Sequence, residues 1–89
     1  MIEVIKINDH EFEVTVSAST QTKHKVTLNE KYYITLAEGK ISKEELIRRS
    51  FEFLLERESN TMIFREFELP VISRYFPEYE SVIKEAVKK

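Results

Sequence analysis

His10 and His24 carry the most obvious chemistry in the chain, because an imidazole beside carboxylates such as Asp9, Glu11 or Glu13 can ligate zinc. The spacing argues otherwise. There is no close His pair and no HExxH-like helix motif, His10 falls in a turn and His24 opens a strand, so both read as structural and no metal or other cofactor is expected. Ser, His and acid residues all occur, but no glycine-rich turn or nucleophile motif presents a hydroxyl, and the only Gly is placed as a helix stop. No catalytic residues are assigned, and the chain reads as non-enzymatic.

Two other groups could act by binding. Lys23, His24, Lys25 and Lys31 make a basic stretch that could meet phosphate. Strand alternation puts Lys23 and Lys25 on the same sheet face as Glu11 and Glu13, where cross-strand attraction occupies part of their charge. The second group is aromatic: Phe64, Phe67, Tyr75, Phe76 and Tyr79. Such residues usually form core, but four Tyr and six Phe, ten aromatics in 89 residues, are a large share for so small a chain, so some are expected at an interface.

The elements that must position these side chains are legible from periodicity. Phe12, Val14, Val16 and Ala18 alternate with Glu11, Glu13, Thr15 and Ser17, the pattern of a strand with one buried face. Before it, Ile2 to Ile7 is rich in β-branched residues and joins through Asn8-Asp9, a pair suited to a tight hairpin turn. Ile5 and Ile7 share one face and Ile2 and Val4 the other, so the inward face of this strand stays open. After the polar stretch Ser19 to Thr22, the alternation resumes with His24, Val26 and Leu28 opposite Lys23, Lys25 and Thr27. A three-stranded antiparallel meander over residues 2–28 follows.

Residues 30–38 fit two structures. Asn29 as N-cap and Gly39 as C′ residue argue for a short helix carrying Tyr32, Tyr33, Leu36 and Ala37 on one side. The alternation of Tyr32, Ile34 and Leu36 argues for a fourth strand. The caps favour the helix. Ser42 with Glu45 three residues on forms a capping-box signature for a central helix over 42–58. Leu46, Ile47, Phe51, Leu54 and Leu55 form its apolar stripe, and Glu44–Arg48 and Glu45–Arg49 support it as i,i+4 pairs. Beyond it, Met62 to Phe67 reads as one helical turn burying Met62, Ile63 and Phe67. Pro70 and Pro77 open two short helices, over 70–76 and 77–87, the last with Tyr79, Val82, Ile83, Ala86 and Val87 on one stripe and Lys88-Lys89 at its negative end.

Length and composition bound the rest. A single domain of 89 residues is expected to bury roughly 60–65% of its unfolded surface, a small core that dimerisation would enlarge. The absence of cysteine excludes a disulfide framework and a thiolate metal site, and with no leader-like or membrane-spanning run a cytoplasmic, soluble protein is expected. Net charge is −2, which gives no overall basic footprint. Locally the balance is −3 over residues 1–18 (one Lys, four acids) and +3 over 19–43 (five Lys, two Glu).

Gly39, Ile41, Ser42, Lys43, Glu45, Leu46, Ile47 and Arg48, preceded by the polar-apolar strand Lys23 to Leu28, resemble residues of the ribbon-helix-helix DNA-binding and antitoxin proteins; the likeness spans residues 23–55. It implies an obligate dimer whose paired strands enter the DNA major groove. The implied readers are Lys23, Lys25 and Thr27, with Ser42 starting a helix whose free N–H groups hold a phosphate. The segments SFEFLLERESNT and ISRYFPEYE are similar to small uncharacterised bacterial and archaeal proteins, which implies a soluble prokaryotic protein and nothing more.

Taken together, the residues predict an α+β domain: an N-terminal antiparallel meander packed on the 42–58 helix, flanked by short C-terminal helices. The expected function is a protein-interaction module, acting as a homodimer or on another protein, with Phe64, Phe67, Tyr75 and Tyr79 as anchors. The alternative is a DNA-binding regulator of ribbon-helix-helix type.

Overall fold

A computed structural model describes residues 1–88. Strand alternation produces the expected antiparallel meander, β1 (Ile2–Lys6), β2 (Glu11–Ser17) and β3 (Gln21–Thr27). Asn8 turns the first hairpin by accepting backbone N–H bonds from His10 and Glu11, both at 2.9 Å, through its side-chain oxygen. Phe12, Val14, Val16, His24 and Val26 point inward and are buried, whereas Ala18 lies beyond the strand and is exposed. The open question of β1 is resolved: Ile2 and Val4 sit opposite Val16 and Val14 and are half-buried, and Ile5 and Ile7 face solvent.

Residues 30–37 are helical. Asn29 caps α1 (Glu30–Ala37) by accepting from the Tyr32 N–H at 2.8 Å, and the helix ends on two left-handed residues, Glu38 (φ 52°) and Gly39 (φ 73°). Leu36 and Ala37 are buried. Ser42 caps α2 (Lys43–Leu55), accepting from the Glu45 N–H at 3.0 Å, a contact worth about 1 kcal/mol. The Glu45 carboxylate turns forward to the Arg49 guanidinium at 2.9 Å. α2 ends one turn before the expected Glu58, because Arg57 and Glu58 both donate to the Leu54 carbonyl and the chain then turns away.

The segment after α2 departs from expectation. Asn60–Met62 is a 3₁₀ turn that leaves Met62 exposed, and Glu66–Glu68 forms β4, parallel to β3. Phe67 is buried because Glu66, Phe67, Glu68 and Leu69 alternate as a strand and not as a helical turn. The sheet order is therefore β1-β2-β3-β4, an α+β fold with a mixed sheet. α3 (Val71–Tyr75) and α4 (Tyr79–Lys88) complete the described chain, both starting just after a proline or within its turn; Lys89 lies outside the described residues. Phe51 of α2 meets both His24 of β3 and Phe67 of β4, with ring centroids 5.4 and 6.1 Å apart. No helix among the described residues is long and apolar enough to cross a membrane.

Candidate functional site

The end of α2, the 3₁₀ turn, β4 and α3 enclose an apolar cleft of about 290 Å³. Phe67 and Ile63 form its buried floor, Leu54, Val71, Ile72 and Phe76 its walls, and Met62, Phe64 and Tyr75 its lip. The lip is unusual for so small a fold: Met62 is 68% exposed, Phe64 51% and Tyr75 62%. Phe64 and Tyr75 meet edge to face, centroids 5.5 Å apart, so each limits the other's rotamers and the pair is pre-formed.

The backbone under Phe64 is fixed by a buried polar chain. His24 Nδ1 lies 2.8 Å from the Phe64 carbonyl, which can only accept, so that nitrogen carries the proton. In the neutral ring Nε2 then accepts from the Thr22 hydroxyl at 2.9 Å, and the Thr22 oxygen accepts from Asn60 Nδ2 at 3.0 Å. Asn60 also donates to the Thr20 carbonyl at 2.7 Å. Among the described residues no buried side-chain N or O lacks a partner. β3 thus holds both ends of the segment from which Phe64 projects.

Among the described residues, Glu58 is the one carboxylate in the cleft lining. Burial alone pushes its pKa up from the usual glutamate value of 4.5. Below about pH 4.5 the group is protonated folded or unfolded; as pH rises from there the unfolded chain loses its proton first, so stability falls through the window up to the raised folded value. Glu58→Gln should therefore be slightly more stable than the parent at pH 7, by less than about 1 kcal/mol because solvent still reaches the group, and the difference should vanish on acidification below about pH 4.5. Urea titrations at pH 4 and pH 7 check this; an unchanged difference at the two values would show that Glu58 carries no burial penalty.

Of the expected anchors, the fold brings Phe64, Phe67 and Tyr75 to the cleft but not Tyr79. Tyr79 is fully buried on α4, its hydroxyl 2.6 Å from Ser50 Oγ, with burial pushing the phenol pKa well up. It is a core residue. Leu54 and Val71 reach the cleft unannounced, since Leu54 also belongs to the α2 stripe and Val71 lies just past Pro70. Glu58 gives no sequence signal at all.

The residues named for DNA contact are arranged differently from what the resemblance implies. β3 pairs with β2 on one edge and β4 on the other, so it offers no free edge for its own copy, which a paired ribbon needs. Lys25 lies across from Glu13 and ion-pairs with Glu11 at 3.1 Å. Lys23, Lys25 and Thr27 share the outer sheet face with Glu3, Glu11, Glu13, Glu66 and Glu68, a field that repels phosphate. Ser42 is engaged as an N-cap. His10 lies exposed in the first turn and His24 is buried in the core, and among the described residues no three His, Asp or Glu side chains gather as a metal site.

Compared with known protein families, with curated proteins and with solved structures, the chain finds no match in any of the three.

Proposed function

We propose that this protein is a small, non-catalytic interaction module that captures an apolar side chain of a partner protein in the cleft behind Phe64 and Tyr75. The observation that carries this reading is the pre-formed aromatic pair, exposed at the mouth of an apolar cleft with a buried floor. Aromatic anchors surrounding a concave apolar site are the usual seat of binding energy in interfaces. At about 290 Å³ the cleft has room for a large apolar side chain.

A random-peptide display library selected against the purified chain tests this. Selected peptides should lose at least about tenfold in affinity, or about 1.4 kcal/mol, on Phe64→Ser and on Tyr75→Ser. Val82→Ser, at an exposed apolar residue on α4 away from the cleft, should leave them unchanged. Selection of no binder, or of binders indifferent to Phe64 and Tyr75, would refute the assignment.

A further inference from the structure

β4 is an edge strand. The Lys25 N–H donates to the Arg65 carbonyl at 2.7 Å and the Leu69 N–H to the Thr27 carbonyl at 2.9 Å, so residues 65, 67 and 69 direct their backbone groups to β3. By the alternation of a strand, the N–H and C=O groups of Glu66 and Glu68 point the other way, where the sheet has no further strand among the described residues. A second hollow, of about 550 Å³, flanks this edge and is lined by Thr27, Glu66 and Glu68 together with Phe64, Phe67 and Val71. The last three also line the apolar cleft, so the two hollows meet along the free edge.

Arg65 stands just before the strand, but the charged side chains that line the two hollows have one sign. Among the described residues, the linings of the two hollows include Glu58, Glu66 and Glu68 and no Lys or Arg. On the outer face Lys25 lies beside Glu66 and is ion-paired with Glu11 at 3.1 Å, which leaves Glu68 without a register partner of opposite charge. A strand laid along β4 would alternate its side chains between the two faces, one into the cleft beside Phe67 and its neighbours beside Glu66 and Glu68.

Resting on the interaction reading above, we infer that the partner is an extended peptide segment of basic–apolar–basic alternation that adds to the free edge of β4. The apolar side chain fills the cleft, the flanking Lys or Arg side chains face Glu66 and Glu68, and main-chain bonds to those two residues align the segment. This is strand addition, in which the backbone supplies affinity and alternate side chains supply specificity. Short, charged edges also serve to block pairing. A blocking edge would refuse strands of every charge pattern, and this one should refuse only acidic ones.

Fluorescence anisotropy with the full chain and the labelled probes Ser-Lys-Phe-Lys-Val-Gly and Ser-Glu-Phe-Glu-Val-Gly distinguishes the cases. The lysine peptide should bind at least about tenfold more tightly at low salt, with the gap narrowing as salt screens it. Glu66→Lys combined with Glu68→Lys should reverse the preference. N-methylation of one alternate set of peptide amides should abolish binding while methylation of the other set leaves it intact, the signature of strand pairing. Equal binding of both probes, lost when their Phe is replaced by Ala, would overturn the basic-strand assignment and leave the cleft reading standing. Failure of both probes at millimolar concentration overturns it too, and the library selection then decides the cleft reading separately. A dimer in sedimentation that Phe64→Ser dissociates would make a second copy the occupant and also overturn it.

Discussion

Truncation of Tyr79 to alanine should remove roughly 3–5 kcal/mol of folding stability, whereas the same truncation at Tyr75, four residues earlier, should change it by less than about 0.5 kcal/mol. The two residues are alike in type and opposite in place: Tyr79 is 0% exposed and Tyr75 is 62% exposed. The Tyr79 ring sits edge-on to Phe53 at 5.2 Å, and its hydroxyl meets Ser50, which itself donates to the Leu46 carbonyl at 2.8 Å. Removing the ring leaves a cavity between α2 and α4 and deprives Ser50 of a partner in the dry interior. Tyr79→Phe keeps the volume and should lose only about 1 kcal/mol, since Ser50 retains Leu46. A domain of this size is stable by roughly 4–13 kcal/mol in total, so the Tyr79→Ala loss is a large fraction of the whole. Urea unfolding followed by circular dichroism measures all three variants. Equal losses at Tyr75 and Tyr79 would show that the lip is packed and not available to a partner.

The second large effect is expected at Asn60. It is 3% exposed, and its amide joins the second turn of the meander to the loop bearing Phe64 through Thr20 and Thr22. Asn60→Leu keeps the approximate volume and leaves the Thr20 carbonyl facing an apolar group, which should destabilise the fold by roughly 2–4 kcal/mol. Thr22→Val cuts the same chain one link further on. The double variant should therefore lose less than the sum of the single losses, by at least about 0.5 kcal/mol. Strict additivity would mean that Asn60, Thr22 and His24 do not act as a connected network. The functional consequence follows from position, because His24 binds the Phe64 carbonyl, so a loosened chain should weaken peptide capture even where the protein remains folded.

Much of the fold is local information. The alternation from Glu11 to Ser17 specifies a half-buried strand, Asn29 and Gly39 bracket α1, and Ser42 starts α2, all through contacts within four residues. Those signals survive in the folded chain because tertiary packing did not oppose them. The site was only partly legible. Phe64, Phe67 and Tyr75 stood out as a surplus of aromatic residues, and Tyr79 was grouped with them although its stripe with Val82 and Ile83 pointed to the core. Its burial depends on Phe53 and Ser50, more than twenty residues away.

β4 marks the same boundary. Glu66-Phe67-Glu68 repeats the Glu11-Phe12-Glu13 pattern of β2, yet three residues cannot declare a strand until β3, about forty residues earlier, pairs with them. The inward face of β1 was likewise undecided until Val14 and Val16 lay opposite Val4 and Ile2. By itself the sequence determined which segments are strands and helices wherever the governing interactions are near neighbours along the chain. Only the tertiary structure decided which aromatic residues are core and which form a lip, and that β3 is a central strand and β4 an edge, because burial and strand pairing there depend on residues brought together from distant parts of the chain.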